Sequence, residues 1–386
     1  MARIRPPARD IYIGMAEYVS STSGIGGTIK GEPGDFMVAE ITPEGAVLGF
    51  DGDKPGDMSP GAYTHFTLVK ENWDTMRALK EVAQRIGVSR DRFQFAGTKD
   101  KRAFTAQRVS AYKVPLERLR GVKIKDIVLK DFTYADENLG LGSLKGNRFT
   151  IKVRGVKPGA KDLIEATSAQ LTSGFPNFYG HQRFGDVRPI THEVGKMMLV
   201  GDFEGAVLTY VGKSFEGEGP DTTALRDSLA ESRDFQAALE NFPTNLGYEK
   251  SLLNHLIQYP GDWQGALRTF PGGLQKMFIH AYQSHIFNRA LSECIRRGLT
   301  VESLPLVGWD VEADDISARI LEADGIRREN FKVAGMGELA SKGEYRDAYS
   351  VAEDFTYSLE GGDATFGFSL GKGSYATVLL REYMKD

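Results

Sequence analysis

The sequence predicts an α+β fold in which a helical part is inserted into a strand-rich part. Residues 24–154 contain short segments rich in β-branched and aromatic residues, separated by glycine-containing turns. From about 187 to 345 the pattern becomes helical, and from about 349 it returns to strands. Because strands flank the helices, we expect 1–186 and 346–386 to form one domain, with 187–345 inserted into it.

The strand-rich part carries its elements in a regular order. Apolar residues at helical spacing predict one helix that begins after Asn72 and ends at Gly87, and a second helix over 161–172. Alternation and β-rich composition predict strands at 28–30, 36–41, 63–70, 93–96, 105–112, 127–134 and 146–154.

The second half is predicted mainly from helical periodicity. A closing helix over 375–384 follows Ser374, which suits its N-cap, and two strands precede it at 354–360 and 364–370. The longest helix carries an apolar stripe that is more typical of a core than of a site. The other helices are expected at 191–211, 222–240 and 252–257, and the longest at 278–297.

Composition excludes several classes of protein. With 386 residues, of which 41% are hydrophobic and 26% charged, the chain resembles an ordinary globular protein. No apolar run is long enough to span a membrane, and the first residues lack the apolar core of a signal peptide, so we expect a cytoplasmic protein. Cys294 is the only cysteine, and the six histidines lack metal-binding spacing. We therefore expect no disulfide and no metal, and no obligate protein partner is evident.

Charge is distributed unevenly along the chain. The net charge is −4, but residues 99–161 carry 16 lysines and arginines against 6 acidic residues. Residues 202–249 carry 3 basic residues against 10 acidic ones. This contrast predicts that one region meets a polyanion and another avoids it. The alternative is that the basic run is only a solvated face.

One carboxylate, Asp100, lies in a loop between two predicted strands. Lys99, Lys101 and Arg102 flank it, and Arg108 follows on the next strand. These cations favour the ionised carboxylate, which is a usable nucleophile, and they would also attract a polyanion. The alternative is a solvated hairpin end with mixed charges.

Two further segments combine aromatic and polar residues. At 146–154, Phe149 alternates with cationic Arg148 and Arg154, and Asn147 begins the strand; Phe149 also suits an ordinary core. The segment 175–186, which contains Arg183, interleaves aromatic rings with glycine and polar residues. It suits either stacking on exposed bases or a packed corner between domains.

Taken together, these motifs resemble the TruD family of pseudouridine synthases. Residues 97–107 fit the family's Gly-x-Lys-Asp-x-x-Ala-x-Thr-x-Gln, and five more segments are similar to family segments in the same order. A single motif would be weak, but six in order are specific. The additional segments are 29–40, 146–149, 177–185, 281–288 and 373–382. The N-terminal extension and much of 200–275 diverge.

The resemblance implies a mixed, mainly antiparallel sheet as catalytic domain, the pseudouridine synthase fold, with the family's largely helical TRUD domain inserted. It implies isomerisation of a uridine of tRNA, uridine 13, to pseudouridine without cofactor or metal. Asp100 would be the nucleophile, Phe149 would stack on uracil, Asn147 would hold Asp100, and Lys30 would keep it ionised. Lys99 and Gln107 support the site within the motif. The expected RNA contacts are Lys101, Arg102, Arg108, Arg148, Arg154 and Arg183.

Two other functions compete with this interpretation. The same scaffold could serve a non-catalytic RNA-binding or RNA-folding protein in which Asp100 only shapes its loop. A nucleotide-dependent phosphoryl-transfer enzyme is disfavoured, because Gly371-Lys372-Gly373 lacks the glycine frame of a phosphate-binding loop.

Overall fold

The computed structural model describes residues 4–54, 56, 59 and 61–385. Contacts divide the chain into two units. The first, called the helical unit, contains residues 4–19 and Pro176–Tyr349. The second, called the sheet unit, contains Ser20–Phe175 and residues 350–385. The functional division into 1–186, 187–345 and 346–386 stays a prediction.

Both predicted element types are present, which confirms the α+β class. The strands are β1 (Phe36–Ile41), β2 (Tyr63–Glu71), β3 (Phe93–Phe95), β4 (Phe104–Tyr112), β5 (Ile127–Ala135), β6 (Gly146–Val153), β7 (Phe175–Pro176), β8 (Ser303–Leu306), β9 (Glu344–Asp347), β10 (Tyr349–Ser350), β11 (Glu353–Glu360) and β12 (Asp363–Gly371). The helices are α1 (Ala8–Tyr12), α2 (Thr75–Arg85), α3 (Leu116–Arg120), α4 (Ala160–Gln170), α5 (Thr191–Val200), α6 (Phe203–Gly212), α7 (Pro220–Ser232), α8 (Phe235–Asn241), α9 (Gly247–Gln258), α10 (Trp263–Arg268), α11 (Gly272–Arg297), α12 (Asp315–Ala323) and α13 (Ala376–Met384).

The sheet unit is built on one mixed, mainly antiparallel sheet, as expected. Its strand order is β11-β12-β6-β1-β4-β2-β5, and β3 also pairs with β4. The pair β1 and β4 is parallel, whereas β6 pairs with both β1 and β12 in the antiparallel sense. β12 follows β6 in space although most of the chain separates them in sequence. This pairing allows a long insertion without interrupting the sheet.

Helix α2 covers one face of this sheet. Leu79 and Val82 are fully buried against Phe66 of β2 and Val109 of β4. The helical spacing of these apolar residues therefore predicted the packing face correctly. The expected cap was wrong: Asp74 caps α2 by accepting a hydrogen bond from Arg77 N at 3.0 Å.

Left-handed backbone conformations explain where other predicted elements break. Asn72 has φ 56°, so it ends β2 instead of starting α2. Lys30 has φ 60°, and only an isolated bridge from Thr28 to Arg154 forms where a strand was expected at 28–30. The expected helix 191–211 is divided at Gly201, with φ 79°, and 222–240 is divided at Arg233, with φ 53°.

The remaining differences are at element ends and in elements without a strong pattern. α13 begins at Ala376 after Tyr375, and Ser374 Oγ forms a hydrogen bond with Ser350 Oγ at 2.8 Å, so the cap expected at Ser374 was wrong. The sequence did not predict α10, α12, β8 or β9.

The helical unit packs around α11. Phe278, Tyr282 and Ile286 are at most 1% exposed, which confirms the core stripe. Asn288, also fully buried, accepts a hydrogen bond from Tyr179 N and donates to the carbonyls of Tyr179 and Ile13, each at 2.8–2.9 Å. This single amide satisfies three backbone groups that burial would otherwise leave costly.

The aromatic segment at 175–186 is largely packed. Phe178, Tyr179 and Phe184 are buried, so the stacking faces expected for exposed bases are covered by protein. Arg346 lies over the Tyr179 ring at 4.2 Å. Among the described helices, none combines the length and apolarity that a membrane crossing requires.

Candidate active site

Asp100 lies in the loop that joins β3 to β4. The buried ammonium of Lys70 holds this loop by donating to the carbonyl oxygens of Asp100, at 2.9 Å, and Trp73, at 2.7 Å. The pKa of Lys70 is lowered to about 8, chiefly because burial disfavours its charge. The backbone of Asp100 is therefore fixed from the interior of the sheet unit.

A second set of hydrogen bonds anchors the residues before Asp100. Thr75 Oγ1, at the start of α2, accepts from Lys99 N at 3.2 Å and donates to Gln107 Oε1 at 2.9 Å. Gln107 Nε2 in turn donates to the Gly97 carbonyl at 3.1 Å. Gln107 is fully buried, and its supporting role stays a prediction. Strand, helix and loop thus hold one another in place.

The side chain of Asp100 faces a cation. Lys30 Nζ lies 3.3 Å from Asp100 Oδ2, and each side chain is about one-fifth exposed, at 22% and 23%. The ammonium of Lys30 also lies 4.3 Å from the centre of the Phe36 ring. The predicted proximity of Lys30 to Asp100 is thus present. The two side chains form a partly exposed ion pair.

The side chain of Lys99 is buried. Its Nζ lies 2.9 Å from Glu40 Oε2, and the two side chains are 6% and 1% exposed. Glu40 Oε1 also accepts from Arg108 N at 3.4 Å. This buried ion pair fixes the residue next to Asp100.

The strand register brings the candidate residues onto one face of the sheet. Directly opposed residues form one row across five neighbouring strands. Asn147 is opposed to Glu40 on one side and to Leu370 on the other, which places it in the adjacent row of the same face. The five residues of the first row are Lys70, Thr105, Val38, Phe149 and Phe368.

Phe149 belongs to an aromatic layer on this face. Its ring stacks on Phe368 at 5.5 Å and meets Phe36 edge to face at 6.3 Å. Only 7% of Phe149 is exposed. Lys30 touches this layer through Phe36, so the aromatic layer and the Asp100 carboxylate share one cation.

Asn147 carries an unsatisfied acceptor. Its Oδ1 is buried and has no hydrogen-bond partner among the described residues. A buried acceptor of this kind costs folding free energy, so it is a position where a substrate donor would be favourable. No hydrogen bond between Asn147 and Asp100 is found among the described contacts; the expected role of Asn147 stays a prediction.

The expected RNA-contact residues differ in availability. Lys101 and Arg102 are exposed, and Arg102 donates to the Lys30 carbonyl at 2.8 Å. Arg108 donates to the Asp131 carbonyl at 3.1 Å, and Arg148 donates to the Asp354 carbonyl at 3.1 Å. These contacts leave Lys101 and Arg102 as the more accessible cations of the loop.

Of the last two expected contacts, Arg154 is paired within the fold and Arg183 lies beside an aromatic ring. Arg154 makes two hydrogen bonds with Asp35, at 2.7 and 2.8 Å, and this pairing lowers the pKa of the buried Asp35 carboxyl. Arg183 belongs to the helical unit, where its guanidinium lies 5.1 Å from the Tyr179 ring.

Sequence reasoning missed Glu40, Lys70 and Thr75 as parts of this site. Glu40 shares its strand face with Phe36 and Val38, and Lys70 shares its face with Phe66 and Leu68. A charged residue on an apolar strand face was therefore the available signal. Thr75 gave no such signal. Within the described ranges, no group of three or more histidine, cysteine or acidic side chains could hold a metal ion.

Comparison with known proteins identifies the family. The family model described as "tRNA pseudouridine synthase D (TruD)" matches residues 12–305 and 302–383. Two relatives named "Probable tRNA pseudouridine synthase D" are 34% identical, in Methanococcoides burtonii, and 37% identical, in Archaeoglobus fulgidus. The first covers 98% of both chains, and the second covers 97% of this chain and 98% of the relative.

A solved structure agrees with the sequence relatives. It is a crystal structure from Methanosarcina mazei whose description names tRNA pseudouridine synthase D (TruD). It is 32% identical, covers 99% of this chain and 98% of that chain, and superposes with a TM-score of 0.79. The chain belongs to the tRNA pseudouridine synthase D (TruD) family.

Proposed function

We propose that the protein is an isomerase that converts uridine 13 of tRNA to pseudouridine, with Asp100 as nucleophile. Family membership supports the reaction class. The observation that carries the assignment of Asp100 is its pairing with Lys30 at 3.3 Å on a backbone held by Lys70. An ionised carboxylate held at a fixed position is suited to nucleophilic catalysis.

In the proposed reaction, the bond between ribose C1′ and uracil N1 is replaced by a bond between C1′ and uracil C5. An oxygen of Asp100 attacks the sugar while the bond between C1′ and N1 breaks, and the electron pair leaves with uracil. The freed uracil turns, and its C5 bonds to C1′ while Asp100 is displaced. C5 loses its hydrogen as a proton and N1 gains one, so product and substrate are isomers. No cofactor or metal takes part.

Three side chains support these steps. Lys30 places its ammonium group next to the Asp100 carboxylate and acts through its charge, without transferring a proton. Phe149 stacks on the uracil and limits its escape, and the aromatic layer behind it holds its ring in place. Asn147 contributes an amide next to the Glu40 and Lys99 pair, where its Oδ1 can accept a hydrogen bond.

The target uridine must leave the base stack to reach Asp100. Extrusion of a stacked base costs a few kcal/mol, which contacts with the RNA backbone must offset. The exposed Lys101 and Arg102, directly after Asp100, are the cations best placed for this purpose. We assign tRNA as the partner and the sheet unit as the catalytic domain on these grounds.

The test is pseudouridine mapping by carbodiimide labelling and primer extension on unmodified tRNA. A stop at uridine 13 after incubation with the protein is expected, and a transcript with cytidine at position 13 should give none. A stop at another uridine would support pseudouridine formation and contradict the assignment of uridine 13 as the target. Binding of tRNA without any stop would favour the alternative, a non-catalytic RNA-binding or RNA-folding protein.

A further inference from the structure

The helical unit contains a cavity of about 570 Å³, and none of the candidate active-site residues lines it. Its walls come from three segments of this unit: residues 11–17, α11 and α12. Small-molecule sites in proteins usually have volumes of about 300–1,000 Å³, so one nucleotide would fit. The residues that line the cavity determine which ligand it can bind.

The N-terminal wall is fastened to α11. Ser292 Oγ donates to the Gly14 carbonyl at 2.7 Å and accepts from Ala16 N at 2.9 Å. Gly14 has φ 88°, and a Cβ there would lie 2.9 Å from Asn288 Cβ. Only glycine allows this close approach. The divergent N-terminal segment is thus an ordered part of the cavity wall.

Five aliphatic side chains form part of the cavity lining. His285 also lines the cavity, and its Nδ1 is buried without a hydrogen-bond partner among the described residues. Burial and the neighbouring His192 lower the pKa of His285 well below its ordinary value, so the ring is uncharged and one of its two nitrogens can accept a hydrogen bond. The apolar lining residues are Ile11, Ala16, Ile316, Ile320 and Ala323.

The lining also includes four arginines and the two carboxylates of Glu17 and Glu293, and one of the arginines, Arg289, pairs with Asp324 at 2.7 Å. Two of these arginines, Arg296 and Arg297, pair with Glu293 on the same helix. Both arginines are exposed, and ion pairs one helical turn apart contribute only about 0.3–0.5 kcal/mol, so a phosphate can compete for these guanidinium groups. The four arginines are Arg289, Arg296, Arg297 and Arg319.

We infer that this cavity binds one nucleotide of the RNA substrate, with its base against the aliphatic lining residues and its phosphate on the arginines. Arginine binds phosphate in a bidentate manner, and an unpaired imidazole nitrogen suits a donor on the edge of a base. This inference rests on the proposed function, and it assigns the helical unit an RNA contact of its own. A free nucleoside monophosphate shares the same chemistry, and the experiment below separates the two sources.

The first test removes two lining arginines. In the variant Arg297→Ala/Arg319→Ala, the Kd for unmodified tRNA should rise about tenfold, and the salt dependence of binding should weaken by about one unit of slope per lost contact. The matched control is Arg233→Ala/Arg328→Ala, which removes two arginines of the same unit outside the cavity. The control should change Kd less than about twofold.

The second test fills the cavity without changing charge. Ile316→Trp should weaken tRNA binding while the melting temperature stays within a few degrees of the wild type, which shows that the variant folds. Uridine monophosphate at millimolar concentration should not raise the melting temperature, because the nucleotide is supplied by bound RNA. A rise that is lost in Ile316→Trp would assign the cavity to free nucleotides and overturn the inference.

Two other results would also contradict the binding of an RNA nucleotide in this cavity. Equal weakening in the arginine variant and its control, or unchanged binding in both the arginine and the filling variants, would overturn the inference. These readouts measure binding alone. A wild-type protein that binds tRNA but forms no pseudouridine would reject the proposed function, and the comparison of variants would still decide the use of the cavity.

Discussion

The ammonium group of Lys99 lies 2.9 Å from the carboxylate of Glu40, and both side chains are more than nine-tenths buried. This pair joins β1 to the loop of Asp100, one residue before the proposed nucleophile. Removal of one partner from a buried ion pair leaves an uncompensated charge, whereas removal of both does not. The relationship between Glu40 and Lys99 can therefore be measured separately from the chemistry of Asp100.

We predict that Glu40→Gln lowers the free energy of unfolding by about 3 kcal/mol, because Lys99 loses its buried counter-ion. The double variant Glu40→Gln/Lys99→Met should recover a large part of this loss. Urea denaturation monitored by circular dichroism measures both values. A single variant within about 0.5 kcal/mol of the wild type would show that the pair contributes little.

Lys70 should give the folded protein a distinct pH dependence. Its pKa is about 8 in the folded state, below the ordinary value of 10.5, because it is buried. Between these values the unfolded chain binds the proton and the folded chain does not, so the free energy of unfolding rises with pH. Compared with Lys70→Met, the wild type should gain about 2 kcal/mol between pH 7 and pH 10.

The measurement is urea denaturation of both proteins at the two pH values. Subtracting the change in the free energy of unfolding of Lys70→Met removes the contribution from titration of the other lysines and tyrosines. Parallel changes in the two proteins would mean that Lys70 keeps its ordinary proton affinity and that its burial is compensated by its carbonyl partners.

Lys30→Met should lower kcat about 10- to 100-fold, because the cation next to Asp100 is lost. The melting temperature should change little, since the pair is partly exposed and such pairs contribute at most about 1 kcal/mol. Release of tritium from tRNA labelled at C5 of uridine measures kcat. Lys30→Arg is the matched control and should retain most activity; an unaffected Lys30→Met would remove Lys30 from the mechanism.

Asn147→Leu should separate stability from activity. The buried Oδ1 of Asn147 has no partner among the described residues, so an apolar side chain of similar size should leave stability unchanged or raise it by about 1 kcal/mol. Activity should fall about 100-fold, because the proposed hydrogen bond at the site is lost. Thermal unfolding measures the effect on stability, and tritium release measures the effect on activity. A variant with full activity would contradict the proposed role of Asn147 at the site.

The sequence predicted the candidate site better than the support behind it. Asp100 and Lys30 come together as expected, and the two strands on either side of the Asp100 loop, β3 and β4, follow from their β-rich composition. The pairing of Glu40 with Lys99 depends on the parallel register of β1 and β4, which local patterns do not encode. Arg154 was expected to contact RNA from its charge alone, but its partner Asp35 lies 119 residues away in sequence.

The accuracy of the predicted helix boundaries was limited because composition does not reveal every left-handed backbone conformation. Gly201 is a recognisable helix end, whereas Arg233 adopts a left-handed conformation that few arginines favour. Residues 11–17 carry little pattern of their own and acquire their structure from contacts with Asn288 and Ser292. Such contacts between distant parts of the chain could not be predicted from one sequence.

The role of Asp100 as nucleophile is tested by comparing the wild type with Asp100→Asn, which keeps the size of the side chain and removes its charge. We predict an unchanged Kd for unmodified tRNA within about threefold, and no pseudouridine by carbodiimide mapping in single-turnover reactions with excess enzyme. Formation of pseudouridine by Asp100→Asn at the wild-type rate would show that Asp100 is not the nucleophile.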